Sequence, residues 1–171
     1  MHLNYETETW RRQLQIIAKS LHKEEVANKW LRNFTQKLNR LRAELDVQYP
    51  HATFLFLRKY KQSFYLTTSR SVSEIFFQEL GMHSAYGKSV AGGEIKLENI
   101  LAMDPDHIML MVCQEQETLY DWNKLQLSTD WMKLKAAKEN NIHCISTDPW
   151  FEYSAVAHER ILEQVRELLI E

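Results

Sequence analysis

The chain has 171 residues, with 21 lysines and arginines against 23 aspartates and glutamates. This length fits one domain, or one lobe of a larger protein, that buries a substantial core. Because the charges nearly balance, we expect no direct binding of nucleic acid by this segment. The N-terminus lacks a basic region followed by an apolar one, and no run of about 18 apolar residues occurs, which predicts a cytoplasmic chain without a signal peptide or membrane span.

Two amphipathic helices are predicted before Pro50. Apolar residues recur every three or four positions over residues 8–21 and again over residues 24–45, the spacing that gives a helix one apolar face. The second helix is longer than most helices of globular proteins. We therefore divide the chain into a helical segment, residues 1–47, and a second part, residues 48–171.

From residue 52 the period changes to short apolar strands that alternate with helices. Strands are predicted at 53–57, 62–66, 107–113 and 142–146, and helices at 71–80, 96–103, 118–125, 129–140 and 154–170. This order predicts an α/β fold, a three-layer Rossmann-like lobe with a mostly parallel sheet that follows the long helix. Such sheets bind ligands at the carboxyl ends of their strands.

Three segments carry a resemblance to a known family: LENILAMDPDHIMLMV, WMKLKAAKENNIHCISTDPW and AHERILEQVRELL. In this order they resemble the C-terminal lobe of class III periplasmic binding proteins, which capture iron-siderophore complexes and vitamin B12. The resemblance extends from Trp10 to Leu169. It implies that the helix at 24–45 joins two lobes around a ligand, and that the N-terminal lobe is a partner missing from this chain.

The resemblance implies two biological contexts. The segment WFEYSAVAHERILEQV resembles the end of the siderophore-sensing domain fused to AraC-type transcription regulators, so the favoured context is a cytoplasmic effector domain beside a DNA-binding domain. The alternative is a lipoprotein on the extracellular face of the membrane that feeds an ABC permease. Glu98 matches the position of a carboxylate that docks on such permeases, although an acidic residue in a first helical turn is also stabilised by the helix dipole alone.

The expected ligand is a ferric siderophore, and ferric catecholates are anionic and aromatic. A site for them needs cations and aromatic rings, and Arg donates several directed hydrogen bonds. The resemblance places an Arg at the end of the first strand, so Arg58, Tyr60 and Lys61 are predicted ligand contacts. A solvated hairpin turn is the alternative for these residues.

A second group of predicted ligand contacts follows the last strand. Trp150 and Tyr153 match aromatic positions of the family, and Phe151 is expected in the core. Trp150 and Phe151 could instead both cover the helix below. Lys88, in a glycine-flanked loop, is a further cationic candidate.

Catalysis is not expected. His158 begins a sequence like a zinc-protease helix, but Leu162 stands where the second His is required. Nucleophile-elbow, P-loop, dinucleotide-binding and Cys-x-x-Cys motifs are absent, so we predict no metal site and no tightly bound cofactor. A small α/β enzyme or nucleotide-binding domain remains the alternative from another class. Cys113 and Cys144 are predicted to be free thiols buried in strands, and His158 is a candidate pocket residue.

The N-terminal helices also indicate how the chain could self-associate. If they normally pack against an absent lobe, then Trp10, Trp30 and Phe34 form a spare apolar face. Such a face would favour a homodimer through the exposed helices.

Overall fold

The structure, a computed structural model, describes residues 8–87 and 92–171. The helices are α1 (Trp10–Ser20), α2 (Glu24–Gln48), a π-helix (Val72–Glu79), α3 (Leu97–Met103), α4 (Gln116–Leu125), a 3₁₀ turn (Trp131–Lys133), α5 (Lys135–Lys138) and α6 (Ala155–Leu169). The strands are β1 (Thr53–Tyr60), β2 (Ser63–Leu66), β3 (His83–Ser84), β4 (Gly93–Ile95), β5 (His107–Val112) and β6 (Ile142–Cys144). Within the described ranges, no helix is both long and apolar enough to cross a membrane.

The strands form one mixed sheet in the order β4-β2-β1-β5-β6, with β3 paired to the start of β1. Strands β1, β5 and β6 are parallel, whereas β2 runs antiparallel to both of its neighbours. Only β2 therefore opposes the common strand direction among the described strands. The predicted α/β lobe with a mostly parallel sheet is confirmed.

Strand β1 is buried on both faces because helices cover both sides of the sheet. Phe54 and Phe56 point into a core shared with α1, α2, the π-helix and α6. Leu55 and Leu57 point into a second core shared with α3, α4 and α5. This alternation makes the fold a three-layer sandwich and fixes the direction in which each later residue of β1 points.

The expectation of a spare apolar face on the N-terminal helices is wrong for two of its three residues. Trp10 and Phe34 are 3% and 1% exposed, and their rings contact each other at 4.9 Å between centroids. Trp30 is half-buried, and its Nε1 donates a hydrogen bond to Glu159 on α6 at 3.2 Å. The two helices therefore pack against α6 and share its core.

Two predicted helices take a different local form. Residues 72–79 adopt a π-helix within the predicted range 71–80. The predicted helix at 129–140 is a 3₁₀ turn followed by the short α5, because Leu134 adopts an extended ψ of 136°. At the start of α5, the backbone N–H of Lys135 donates to Asp104 Oδ1 at 2.8 Å, so the Asp104 side chain, which follows α3, caps α5.

Candidate functional site

The hairpin of β1 and β2 positions the candidate site. β1 continues beyond the predicted end at residue 57 as far as Tyr60, which pairs with Ser63 across a two-residue turn. Lys61 takes a positive φ of 48° in that turn. Because strand residues alternate, Arg58 and Tyr60 project from one face of the sheet, and Lys59 projects from the other.

Lys59, between Arg58 and Tyr60 on β1, is not a solvated cation. Its side chain is fully buried, and its Nζ donates to the carboxylate of Asp121 on α4 and to the carbonyl oxygen of Lys61. The backbone N–H of Lys61 also donates to Thr118 Oγ1 at 2.8 Å. These contacts tie the hairpin turn to α4, which fixes the position of the neighbouring Arg58.

Arg58 is a cation without a carboxylate partner among the described residues, whereas Lys59 and Lys61 have Asp121 and Glu117. Its Nε is buried and has no hydrogen-bond acceptor in the described structure. The guanidinium carbon lies 5.6 Å from the centre of the Tyr60 ring and 6.0 Å from that of Tyr65. A buried donor without an acceptor costs free energy, so Arg58 is prepared to accept an anionic ligand.

Tyr65 was not predicted as a site residue, although the hairpin register could have identified it. It lies directly opposite Arg58 in the antiparallel pair, so both side chains share one face. Its neighbour on β4 is Glu94, whose Oε1 accepts a hydrogen bond from Ser63 Oγ at 2.6 Å. The face therefore combines Arg58, which has no ion-pair partner in the described structure, with two tyrosine rings and the Glu94 carboxylate.

A cleft of about 350 Å³ opens beside Arg58. Its lining includes Tyr65, Phe151 and three consecutive hydroxyl-bearing residues, Thr67, Thr68 and Ser69. The Ser69 hydroxyl donates to the carbonyl oxygen of Trp150 at 2.6 Å, so this segment is joined to the loop after β6. The cleft offers a cation, aromatic surface and hydroxyl groups to one ligand.

Gly92 permits close approach of two segments at the edge of this cleft. A Cβ atom at this position would lie 2.7 Å from Thr68 Oγ1 and 3.2 Å from the carbonyl oxygen of Leu66. Both distances are shorter than normal contacts, so a larger residue would displace the hydroxyl-bearing segment.

In the loop after β6, the positions of Trp150 and Phe151 are the reverse of those expected. Trp150 is fully buried against Phe56, with ring centres 5.0 Å apart, and its Nε1 donates to Gln164 Oε1 at 2.8 Å. Phe151 is 49% exposed and lines the cleft. The structure thus places Trp150 in the core, contrary to its expected place in the cleft, and brings Phe151 to the cleft instead.

Tyr153 lies in a polar cluster beside α1, away from the lining of the cleft. Its hydroxyl donates to Glu74 Oε2 at 2.6 Å and accepts from the backbone N–H of Trp10 at 3.2 Å. The Arg70 guanidinium stacks on its ring at 4.1 Å. Burial and the Glu74 carboxylate raise the pKa of Tyr153 to about 12, which keeps the hydroxyl protonated as a donor. Its contacts join α1 to the π-helix.

His158 is a core residue in the structure, and it was the sequence candidate for a pocket-lining group. The Ser71 hydroxyl donates to the carbonyl oxygen of Glu152, so the His158 Nε2 at 3.2 Å must donate to Ser71 Oγ. Nδ1 is then an acceptor without a donor in the described structure. Burial lowers the pKa of His158 to about 4, so the ring is neutral near pH 7.

Three further predicted residues lie in the described ranges. Tyr60 is half-buried beside Arg58, and Lys61 is exposed in the turn, with its Nζ 5.6 Å from the Tyr60 ring centre. Glu98 is exposed in the first turn of α3, with one oxygen 3.7 Å from Lys96 Nζ. Lys88 lies outside the described residues. It follows Gly87, which borders a second concavity of about 660 Å³ that shares Thr68 with the cleft.

The structure also shows the state of the two cysteines and the arrangement of the side chains that could bind a metal. Cys113 and Cys144 are free, as predicted, but Cys144 at the end of β6 is exposed, contrary to the expected burial. Within residues 8–87 and 92–171, no group of three or more His, Cys, Asp or Glu side chains is arranged to hold a metal ion.

Comparisons with known proteins give the family and the fold of the chain. Residues 2–149 match the family described as periplasmic binding protein. The HTH-type transcriptional activator Btr of Bacillus subtilis is 39% identical over 95% of this chain, which spans 31% of that relative. A FhuD-fold periplasmic binding protein component of a ferrichrome ABC transporter from the same organism superimposes with a TM-score of 0.82 at 18% identity, over 100% of this chain and 67% of that chain. The triscatecholate siderophore binding protein FeuA, in complex with ferri-bacillibactin, gives a TM-score of 0.76 at 21% identity, over 94% of this chain and 59% of that one.

Proposed function

The chain belongs to the periplasmic binding protein family, and on this premise we propose that it is a non-catalytic module that recognises ferric siderophores. The supporting observation is Arg58, whose buried Nε has no acceptor in the described structure and whose guanidinium lies beside two tyrosine rings at the cleft. In this proposal the iron is cargo held inside the chelator, and the protein carries no resident cofactor. The match of FeuA in complex with ferri-bacillibactin supports this ligand class.

The proposed binding contacts follow from the chemistry of the cleft. Arg58 donates charge-assisted hydrogen bonds to the anionic chelate, which are stronger than neutral ones in a partly buried site. Tyr60, Tyr65 and Phe151 provide flat apolar surface for aromatic chelating groups. The hydroxyls of the cleft complete the shell, and we propose Lys61 and Lys88 as outer cations. Trp150 and Tyr153 contribute indirectly, because they hold the loop and α1 in place.

We propose that the intact site has a second wall. The chain spans about a third of the length of the curated relative Btr, and the cleft is open on one side of the described residues. In this proposal residues 1–47 lead to an N-terminal lobe through α2, and residues 48–171 form one wall. Enclosure by both walls excludes water and strengthens the charge-assisted contacts.

The favoured context is the effector-sensing part of an AraC-type activator of iron uptake in the cytoplasm. The similarity to Btr over nearly the whole chain supports this choice. Siderophore binding between the lobes would then change the arrangement of an attached DNA-binding domain.

The alternative context is the C-terminal lobe of a transporter-linked binding lipoprotein. The exposure of Glu98, whose side chain is 74% accessible, favours it, because a docking carboxylate must be reachable by a permease. The variant E98Q separates the two contexts. It should reduce siderophore uptake in the transporter context and leave promoter activation unchanged in the regulator context.

Equilibrium dialysis with radiolabelled ferric chelates tests the proposed ligand class. We expect the chain to bind a ferric tris-catecholate, with a dissociation constant of up to about 1 mM because only one wall is present. R58M should weaken binding about tenfold or more. R58K should retain only part of the wild-type affinity, because the lysine ammonium cannot donate the paired, directed hydrogen bonds of the planar guanidinium.

R12M is the matched control, since Arg12 is an exposed arginine on α1. It should bind like the wild type. Failure of every ferric chelate to bind a folded chain, or equal weakening by R58M and R12M, would contradict the proposal.

A further inference from the structure

The N-terminal helices carry a net positive charge, whereas the rest of the chain is acidic. Residues 10–48 contain nine lysines and arginines and four acidic residues, a net charge of +5. The rest of the chain contains 12 and 19, a net charge of −7. The near balance of the whole chain therefore hides a strong separation of charge between two parts of the molecule.

The exposed face of α2 presents a stripe of cations, which we define as Lys29, Arg32 and Arg40. These residues lie at helical spacing on the side opposite the buried apolar residues of α2. In the described part of the chain, none of the three forms an ion pair. Among the nearby carboxylates, Glu44 contacts Arg166 at 3.0 Å and Asp46 lies 3.8 Å from Arg42. Glu25 is exposed four residues before Lys29 and forms no ion pair with it in the described structure.

The residues between these cations are also polar. From position 29 to 40, every exposed side chain is a cation, an amide or a hydroxyl: Lys29, Arg32, Asn33, Thr35, Gln36, Lys37, Asn39 and Arg40. A shallow groove between α1 and α2 continues the surface with Gln15 and Asn28 and includes Arg11, which is already paired with Glu79. No exposed side chain from position 29 to 40 is therefore acidic or apolar, although Glu25 and Val26 before this range and Val47 after it are exposed.

This composition identifies the kind of partner. A folded protein partner requires an apolar or aromatic centre in the interface, and an anionic membrane requires apolar side chains that insert beside the cations. The apolar side of α2 is buried in the core. The two large apolar side chains that α2 exposes, Val26 and Val47, lie about 31 Å apart at opposite ends of the helix, so they form no apolar centre. A polar, strongly positive surface is typical of contact with nucleic-acid phosphates.

We propose that the α2 stripe contacts the phosphate backbone of duplex DNA without reading its sequence. Lys29 and Arg40 are separated by about 16 Å along the helix axis at 1.5 Å per residue. A duplex presents about ten phosphate charges over that length, so all three cations find partners. This inference is independent of the proposed siderophore function and replaces the expectation of no nucleic-acid contact by this segment.

Fluorescence anisotropy of a labelled duplex of arbitrary sequence, titrated with the 171-residue chain, tests the proposal. Three phosphate contacts predict that the logarithm of the binding constant falls with the logarithm of salt concentration with a slope of about −2.7. A rise from 50 to 200 mM salt should then weaken binding about 40-fold. The triple variant K29Q/R32Q/R40Q should lose binding at low salt.

The control K96Q/K124Q/K138Q removes three exposed cations from other elements, so the two triple variants have the same net charge. It should bind the duplex as the wild type does, and circular dichroism should show both variants folded. Equal loss of binding in both triple variants would overturn the proposal, as would absence of wild-type binding at low salt. Salt-sensitive self-association without DNA binding, or stronger retention on phosphatidylglycerol vesicles than on DNA, would also overturn it.

Discussion

We expect the protein to lose stability when the pH falls from 7.5 to 5, because two of its histidines are buried in the uncharged form. His107 is 6% exposed, stacks on Phe54, and has Nδ1 3.1 Å from His143 Nε2. Burial and the neighbouring His143 lower the pKa of His107 to about 4, and burial lowers the pKa of His158 to a similar value. In the unfolded chain the pKa of each is about 6.5. Because the unfolded state binds protons first, the stability present above that value is lost as the pH falls toward 4.

The size of this effect follows from the two pKa values. At pH 5 an unfolded histidine is almost fully protonated, whereas about a tenth of each folded one is, which lowers the free energy of unfolding by about 2 kcal/mol per residue. The two residues have no ring contact in common, so together they lower it by about 4 kcal/mol. This is a large share of the typical stability of a small domain, about 5 to 15 kcal/mol.

Urea unfolding followed by tryptophan emission at pH 7.5 and pH 5 measures the loss directly. H107F keeps the stacking on Phe54 and removes the titrating group, and H158Q keeps a donor for Ser71. Each variant should lose about 2 kcal/mol less than the wild type between the two pH values. H22Q, at an exposed position between α1 and α2, should behave like the wild type. A loss in H107F and H158Q equal to that of the wild type would refute this reasoning.

Three further predictions test the packing described above. D121A should lower the free energy of unfolding by about 3 to 5 kcal/mol in urea, because it leaves the buried Lys59 charge without its carboxylate and with only the Lys61 carbonyl oxygen as acceptor. K59M should cost less, because the Asp121 side chain is 32% exposed and can be hydrated. Equal costs would contradict a buried pair. F34A should destabilise the protein by about 3 to 5 kcal/mol, as measured by its urea midpoint, because it opens a cavity in the core. F151A should change the free energy of unfolding by less than about 0.5 kcal/mol and should weaken chelate binding. A large loss of stability with unchanged chelate binding would instead show that Phe151 is a core residue.

Much of the fold could be predicted because its signals are local. The apolar periods of α1, α2 and α6 and the short apolar runs of β1, β5 and β6 depend only on the spacing of neighbouring residues. Arg58 was proposed from the family resemblance and not from these patterns, and the structure places it two residues before the end of β1. Tyr65 was within reach too, because the register of a tight hairpin fixes which residue lies opposite.

Other features depend on residues far apart in the chain. Lys59 reads as a surface cation until Asp121, 62 positions later, provides a buried partner. Trp150 and Phe151 are adjacent and both aromatic, so no local pattern tells which of them faces the core. Trp150 is the buried one because its indole contacts the Phe56 ring and donates a hydrogen bond to Gln164, and Phe151 lies at the cleft.

The sequence by itself therefore determined the main helices and strands, their order and the family, because helix and strand periods and family motifs are properties of neighbouring residues. It did not predict the short strands β3 and β4. The tertiary structure decided which charges are paired and which aromatic rings are exposed. These choices depend on partners from distant segments, and a buried polar group or ring is stabilised only where such a partner meets it. For this reason the cleft at Arg58 and the cationic stripe on α2 became visible only in the folded chain.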